Sequence, residues 1–308
     1  MEFRKLISFG KTSFVMSIPK SWIVKNNLKK GDLMGLEEGE GTLILTPKAD
    51  YQRSLEKDDL DVSKLGKMTL RYMVALYKKG IDEIRVKFDK PEMLEEIQQA
   101  IGKEAVGYEI TDHGGNYCVI KNVAGELTEF DPVMRRMFLL LISMADESLI
   151  NVKKGNFEQL KSIAFLEEGN NRFTTTLRRA INKGSYKEAK KTGPLYYIIE
   201  DLENIADQYK YLCNYLYSQR NKKIKIRKGI IDVYQKTNDM LREFYEMYYK
   251  YDPNKAIDIG NKRKEVVDEF MKIIEEKPSA AEIVILYNML TIMQKTFCLI
   301  GPYLTTTI

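Results

Sequence analysis

A chain of 308 residues with 44% hydrophobic and 30% charged residues has the profile of a globular protein of two or three domains, not of a disordered or fibrous one. The formal net charge is +5, and the first thirty residues hold Arg4, Lys5, Lys11, Lys20, Lys25, Lys29 and Lys30 against Glu2 alone. The positive excess therefore sits at one end and points to a polyanion partner there, or to a plain solvated surface.

Cys118, Cys213 and Cys298 lie far apart in apolar stretches and read as small buried hydrophobes in a reducing compartment. The absence of a Cys/His box removes most zinc chemistry, and His113 is the sole histidine, in the turn-like run Asp112-His113-Gly114-Gly115-Asn116. No nucleophile, base and oxyanion donors assemble in the sequence, so the expectation is that the chain is not an enzyme. Met1-Glu2-Phe3-Arg4-Lys5 leads into no apolar leader, and the longest apolar run, Met137 to Ile142, is far below the roughly 20 residues of a membrane span. A cytoplasmic protein without membrane insertion is expected.

In chain order, residues 1–48 predict short strands. Leu6-Ile7-Ser8-Phe9 and Ser13-Phe14-Val15-Met16-Ser17 flank Gly10-Lys11-Thr12 as a hairpin. Pro19 opens a short helix that ends near Asn26, and Leu33 to Leu36 and Thr42 to Leu45 form a second hairpin, closed by Pro47. Such a segment is too small to close a core alone, and pairing with a second copy is the simplest remedy. The run Lys11-Thr12-Ser13-Phe14-Val15-Met16-Ser17-Ile18-Pro19-Lys20-Ser21-Trp22, followed by Leu28-Lys29-Lys30-Gly31-Asp32, resembles the SpoVT/AbrB swapped-hairpin family. That resemblance implies an interleaved homodimer, each chain giving half of a β-barrel, that binds DNA through Arg4, Lys5, Lys11 and Lys20.

Residues 50–126 begin with a charged connector, Asp50 to Lys57. The apolar spacing of Leu65, Met68, Leu70, Met73, Val74, Leu76 and Tyr77 predicts a helix over 64–79 with Gly80 as its cap. Glu83 to Phe88 alternates as a strand, Pro91 to Ile101 predicts a helix, and Tyr108 to Thr111 with Tyr117 to Ile120 a hairpin. The order is αβαββ, a small α/β module for spacing or interaction.

Residues 130–308 are helical, with breaks that give six helices over 132–152, 156–183, 185–217, 229–250, 253–276 and 279–304. Two three-helix repeats are joined by a basic connector with Arg220, Lys222, Lys223, Lys225, Arg227 and Lys228. That connector is either an anion-binding loop or, the favoured reading, a solvated one. In the third helix Glu200, Glu203 and Asp207 fall on one face. Three like charges in a stripe repel unless they are solvated, paired or bridged by a cation, and oxygen donors suit hard or borderline ions.

Leu202-Glu203-Asn204-Ile205-Ala206-Asp207-Gln208 resembles the PhoU family's Glu-x-x-x-Asp metal signature, with Gln208 where that family has histidine. Leu166-Glu167-Glu168-Gly169-Asn170-Asn171-Arg172-Phe173 resembles its middle helix, with Asn171 at the usual aspartate, and Asp131 to Met137 the opening of its first helix. The second repeat keeps Lys264-Glu265-Val266-Val267-Asp268-Glu269-Phe270 but has Met289 and Met293 in the carboxylate positions. The resemblance implies at most one divalent or trivalent metal ion per chain, at Glu200, Glu203 and Asp207 in the first repeat. A nearby lysine such as Lys161 or Lys210 could supply the counter-charge instead. The fold class expected is α+β: a swapped-hairpin half-barrel, a small α/β module and a PhoU-like six-helix bundle. The function implied is a DNA-binding transcriptional regulator of phosphate uptake, or alternatively a signalling adaptor on a phosphate transporter that uses its N-terminal domain to dimerise.

Overall fold

The computed structural model describes residues 3–39, 41–47, 55–125, 127, 129–186 and 188–308. The chain divides into two units, Met1–Glu56 and Lys57–Ile308.

The first unit is two antiparallel hairpins and a short helix. Strands β1 (Ile7–Phe9) and β2 (Ser13–Val15) pair with Ser8 opposite Phe14. Gly10 takes φ +72° in the turn between them, a conformation open to glycine at no steric cost. Helix α1 (Lys20–Lys25) starts after Pro19, and strands β3 (Met34–Gly39) and β4 (Thr42–Pro47) pair with Leu36 opposite Leu45. Hairpin and helix lie where the sequence predicts them. Most of the expected connector from Asp50 to Lys57 lies outside the described residues.

In the second unit, a four-stranded sheet has the order β5-β6-β8-β7. Strand β5 (Lys57–Asp61) runs parallel to β6 (Glu83–Lys87), while β8 (Tyr117–Asn122) is antiparallel to both β6 and β7 (Tyr108–His113). Helices α2 (Thr69–Lys79) and α3 (Met93–Glu104) connect them, so the order is βαβαββ and not the expected αβαββ. The added strand reads Lys-Asp-Asp-Leu-Asp. Its Asp and Lys residues are depleted in strands, but they suit an edge, where charge discourages further pairing. Helix α2 is shorter than predicted, because Gly66 at φ +49° and a 3-10 turn over Gly66–Met68 precede it.

The bundle comprises α4 (Phe130–Lys154), α5 (Leu160–Asn182), α6 (Thr192–Ser218), α7 (Lys228–Tyr249), α8 (Pro253–Glu275), α9 (Ala280–Cys298) and α10 (Ile300–Thr307). Its core runs through Phe138, Leu141, Leu202, Tyr209, Tyr234, Phe244, Ile285 and Met289. Helix α6 begins at Thr192, not near 185. Pro194 lacks an N–H and is tolerated only in a helix's first turn, which sets the start. Pro302 likewise interrupts the last predicted helix, which breaks at Leu299 and restarts as α10. By length and composition Ala280–Thr307 could cross a bilayer, although its apolar residues form no long unbroken run. Its Ile285, Leu286, Met289, Ile292 and Met293 lie in the bundle core instead.

Sheet and bundle form one body, although the sequence suggests a module of its own over 50–126. The buried Arg179 of α5 donates to the carbonyls of Tyr77 (2.9 Å) and Ile81 (2.7 Å) and pairs with Asp82 at 2.6 Å. Lys183 meets the same carboxylate at 2.7 Å. Thr175 donates to the Glu104 carbonyl at 2.6 Å, and Asn182 to that of Lys78 at 2.6 Å.

Candidate nucleic-acid interface and bundle carboxylates

The N-terminal unit has its apolar side chains on the outside. Among its described residues Pro47 alone is buried. Phe9 is 69% exposed and Phe14 70%, and Ile7, Val24, Leu36, Leu43 and Ile44 are exposed as well. Strands with one apolar face need a second layer to cover it. Neither hairpin pairs with the other, so the described residues of this unit supply none. Burying half a dozen such side chains is worth on the order of 10 kcal/mol.

Arg4, Lys5, Lys11 and Lys20 are all exposed. Lys11 stands in the β1–β2 turn, and Arg4 and Lys5 lie at the opposite, open end, just before β1. Lys20 opens α1 a few residues after β2. At about 3.4 Å per residue, a three-residue strand separates the two ends by roughly 10 Å. The four cations therefore frame the hairpin from both ends and do not form one cluster. Lys25, Lys29 and Lys30 are exposed too.

In the bundle, α6 does turn Glu200, Glu203 and Asp207 toward α5. The stripe does not stand alone. Arg178 of α5, with a side chain only 1% exposed, pairs with both Glu200 and Glu203. Thr174 donates to Glu203 at 3.0 Å, and the Arg178 Nε bonds the Thr174 carbonyl at 3.2 Å. One turn further along, Lys210 bonds Asp207 at 2.6 Å and Glu167 at 2.8 Å. Asn171 donates to the same Glu167 oxygen at 2.6 Å. Burial raises the Glu167 carboxyl above its ordinary value, against the pull of Lys210. Burial also works against the Lys210 ammonium, but Asp207 and Glu167 outweigh it and its pKa rises. Burial lowers the Arg178 guanidinium, with Glu200 opposing.

This arrangement does not fit a metal ion. Each of the three carboxylates already accepts from a cation through one oxygen, and a second positive charge among them would face the guanidinium at close range. Asn170 and Asn171 supply neutral amides where a hard ion wants carboxylates. Among the described residues no group of three or more His, Cys, Asp or Glu is arranged to hold a metal. Both amide atoms of Asn170 are buried without a hydrogen-bond partner, and nothing in the structure explains that. Arg178 is the residue that sequence reasoning missed. Its signal is the buried phase of α5: Glu167, Asn170, Thr174, Leu177 and Arg178 share the face turned inward.

In the second repeat Met289 and Met293 are buried in the core, as their apolar neighbours suggest. Lys236 pairs with Glu265 at 2.9 Å and Glu269 at 2.5 Å, answering the carboxylates of that repeat's middle helix. Lys161 lies 5.4 Å from the Tyr217 ring centroid. In the inter-repeat connector Arg220 pairs with Glu158 at 3.0 Å, and Arg227 with Glu282 at 2.9 Å and Glu276 at 2.7 Å. Two of its cations are thus committed to the fold.

Residues 9–53 match the family model described as antidote-toxin recognition MazE, bacterial antitoxin. The chain thus carries a MazE/AbrB-like domain ahead of its helical bundle. Among solved structures it is similar to the phosphate transport system regulatory protein PhoU from Streptococcus pneumoniae. That similarity has 11% identity and a TM-score of 0.48, over 58% of this chain and 93% of that one. No curated protein matches.

Proposed function

We propose that the chain is a dimeric, DNA-binding regulator of phosphate uptake. The observation that carries this reading is the N-terminal unit: an apolar face left exposed by the unit's described residues, rimmed by basic side chains, in a segment of MazE/AbrB type. A second copy covers the apolar faces and completes the half-barrel, and it doubles the number of exposed cations. Lys and Arg on such a surface contribute contacts to the DNA backbone and an affinity that falls steeply with salt. The link to phosphate is supported by the likeness of Leu202 to Gln208 and of Leu166 to Phe173 to the PhoU signatures. In the mechanism, the state of the bundle changes how the two DNA-binding ends of the dimer are held.

Two measurements on the full chain test the reading. Sedimentation should give a dimer that Phe14→Asp with Leu43→Asp converts to monomer, and the wild type should retard DNA at low salt. A monomeric wild type, or Ala at Arg4, Lys5, Lys11 and Lys20 together leaving DNA binding unchanged, would defeat it. A dimer that ignores DNA favours the second reading, a signalling adaptor on a phosphate transporter that uses the N-terminal unit to dimerise.

A further inference from the structure

The α6 signature implies a metal-binding bundle, yet the residues around it are arranged otherwise. We infer that the first repeat is closed by built-in cations, with the Arg178 guanidinium taking the place of a metal ion between Glu200 and Glu203, and Lys210 doing the same between Asp207 and Glu167. Glu200 and Glu203 are three residues apart on one helix face, so a single group facing them can meet both. Arg178 meets them from the neighbouring helix, one terminal nitrogen to each carboxylate. Its third nitrogen, Nε, donates to the Thr174 carbonyl. A guanidinium presents its donors in a rigid planar fork, which makes it a directional bridge between two carboxylates.

Burial separates this bridge from a casual surface pair. The Arg178 side chain is 1% exposed and Glu203 23%. A charge so buried is costly without partners, so Arg178 requires the carboxylates as much as they require it. Glu167 is 6% exposed and meets Lys210 with Asn171 as second donor. The second repeat repeats the device on its middle helix, where Lys236 bridges Glu265 and Glu269, and it has methionines in place of the signature carboxylates. Across both repeats, then, the positive charge comes from side chains. A bundle closed in this way is indifferent to metal supply, and its state is set by what docks on it.

The test uses the full chain and reads thermal unfolding and bound metal, neither of which depends on DNA. After EDTA dialysis and reloading with Zn2+, Mn2+ or Fe3+, the wild type should hold no stoichiometric ion, and its melting temperature should not change. Arg178→Met keeps the length of the side chain and strands Glu200 and Glu203. It should melt lower and recover when Zn2+ or Mn2+ is added, because the ion now has its place. Adding Glu203→Gln to that variant should restore stability without metal and abolish the response. An Arg178→Met protein that folds only when purified with metal supports the inference equally. A wild type that retains one ion per chain and loses it on Glu203→Ala with Asp207→Ala overturns the inference. So does an Arg178→Met protein that no metal stabilises, or one as stable as wild type.

Discussion

Glu282→Gln should cost the protein a defined amount of stability in a defined pH window. Glu282 is third in helix α9 and completes a capping box: its Oε2 accepts from the Ser279 backbone N–H at 2.9 Å, while its own N–H donates to the Ser279 hydroxyl at 3.4 Å. Across the connector, Arg227 reaches the same carboxylate through Nε at 2.9 Å and through its backbone N–H at 3.1 Å. The side chain is 4% exposed. Burial pushes the carboxyl up, but the bonds from Arg227 and the two backbone N–H groups outweigh it and hold the pKa down to about 2, against an ordinary 4.5. That depression corresponds to about 3 kcal/mol of stability. Because the folded value is the lower one, the contribution is complete above about pH 4.5 and drains away as the pH falls toward 2. Glutamine retains the reach of the capping box and removes the charge, so the variant should lose about 2–3 kcal/mol in urea unfolding at pH 7. The gap to wild type should narrow below pH 5 and close near pH 2. A gap that stays constant from pH 7 to pH 3 would refute the charge argument and leave only an ordinary helix cap. A loss below about 0.5 kcal/mol at pH 7 would refute the buried pairing itself.

Arg179→Ala removes one partner of a buried ion pair and two donors to the carbonyls of Tyr77 and Ile81, and should cost about 3–5 kcal/mol. Hydrogen exchange should then quicken at α2 and β6 before the bundle core; equal quickening everywhere would argue against Arg179 as the tie between sheet and bundle. Alanine at Arg4, Lys5, Lys11 and Lys20 should flatten the plot of log affinity against log salt by about one per lost phosphate contact; an unchanged slope would remove these residues from the interface. Burial pushes the Cys118 thiol up to about 11 and that of Cys213 to about 12. At pH 8 iodoacetamide should therefore spare both in the native protein and label all three cysteines once urea is added; rapid native labelling at Cys213 would mean that the bundle core opens.

Much of the fold is written in local patterns. Apolar spacing marked most of the helices of the bundle, and alternation with turn residues marked the hairpins. Capping signals placed ends well: Gly80 and Gly155 take the left-handed conformation that closes α2 and α4. What failed locally failed for identifiable reasons. Strand β5 carries one apolar residue in five, and only its parallel partner β6 makes it a strand. The start of α6 depends on Pro194 at the permitted position, a cue that the break at Gly184 obscured.

That a basic, strand-rich segment precedes a long helical body, and that Glu200, Glu203 and Asp207 share one helical face, can be read along the chain without any structure. Both follow from near-neighbour rules: composition, alternation, and the 3.6-residue turn of a helix. What those carboxylates face is fixed largely in three dimensions. Only the pair of Lys210 with Asp207 follows from spacing along one helix; Arg178 meets Glu200 and Glu203, and Lys210 reaches Glu167, through the packing of α5 on α6. The same holds for Arg179, which reads as one more charge on a helix until the sheet closes over it. A charged side chain's role is set by what desolvates it and what it meets there, and both are properties of the packed molecule.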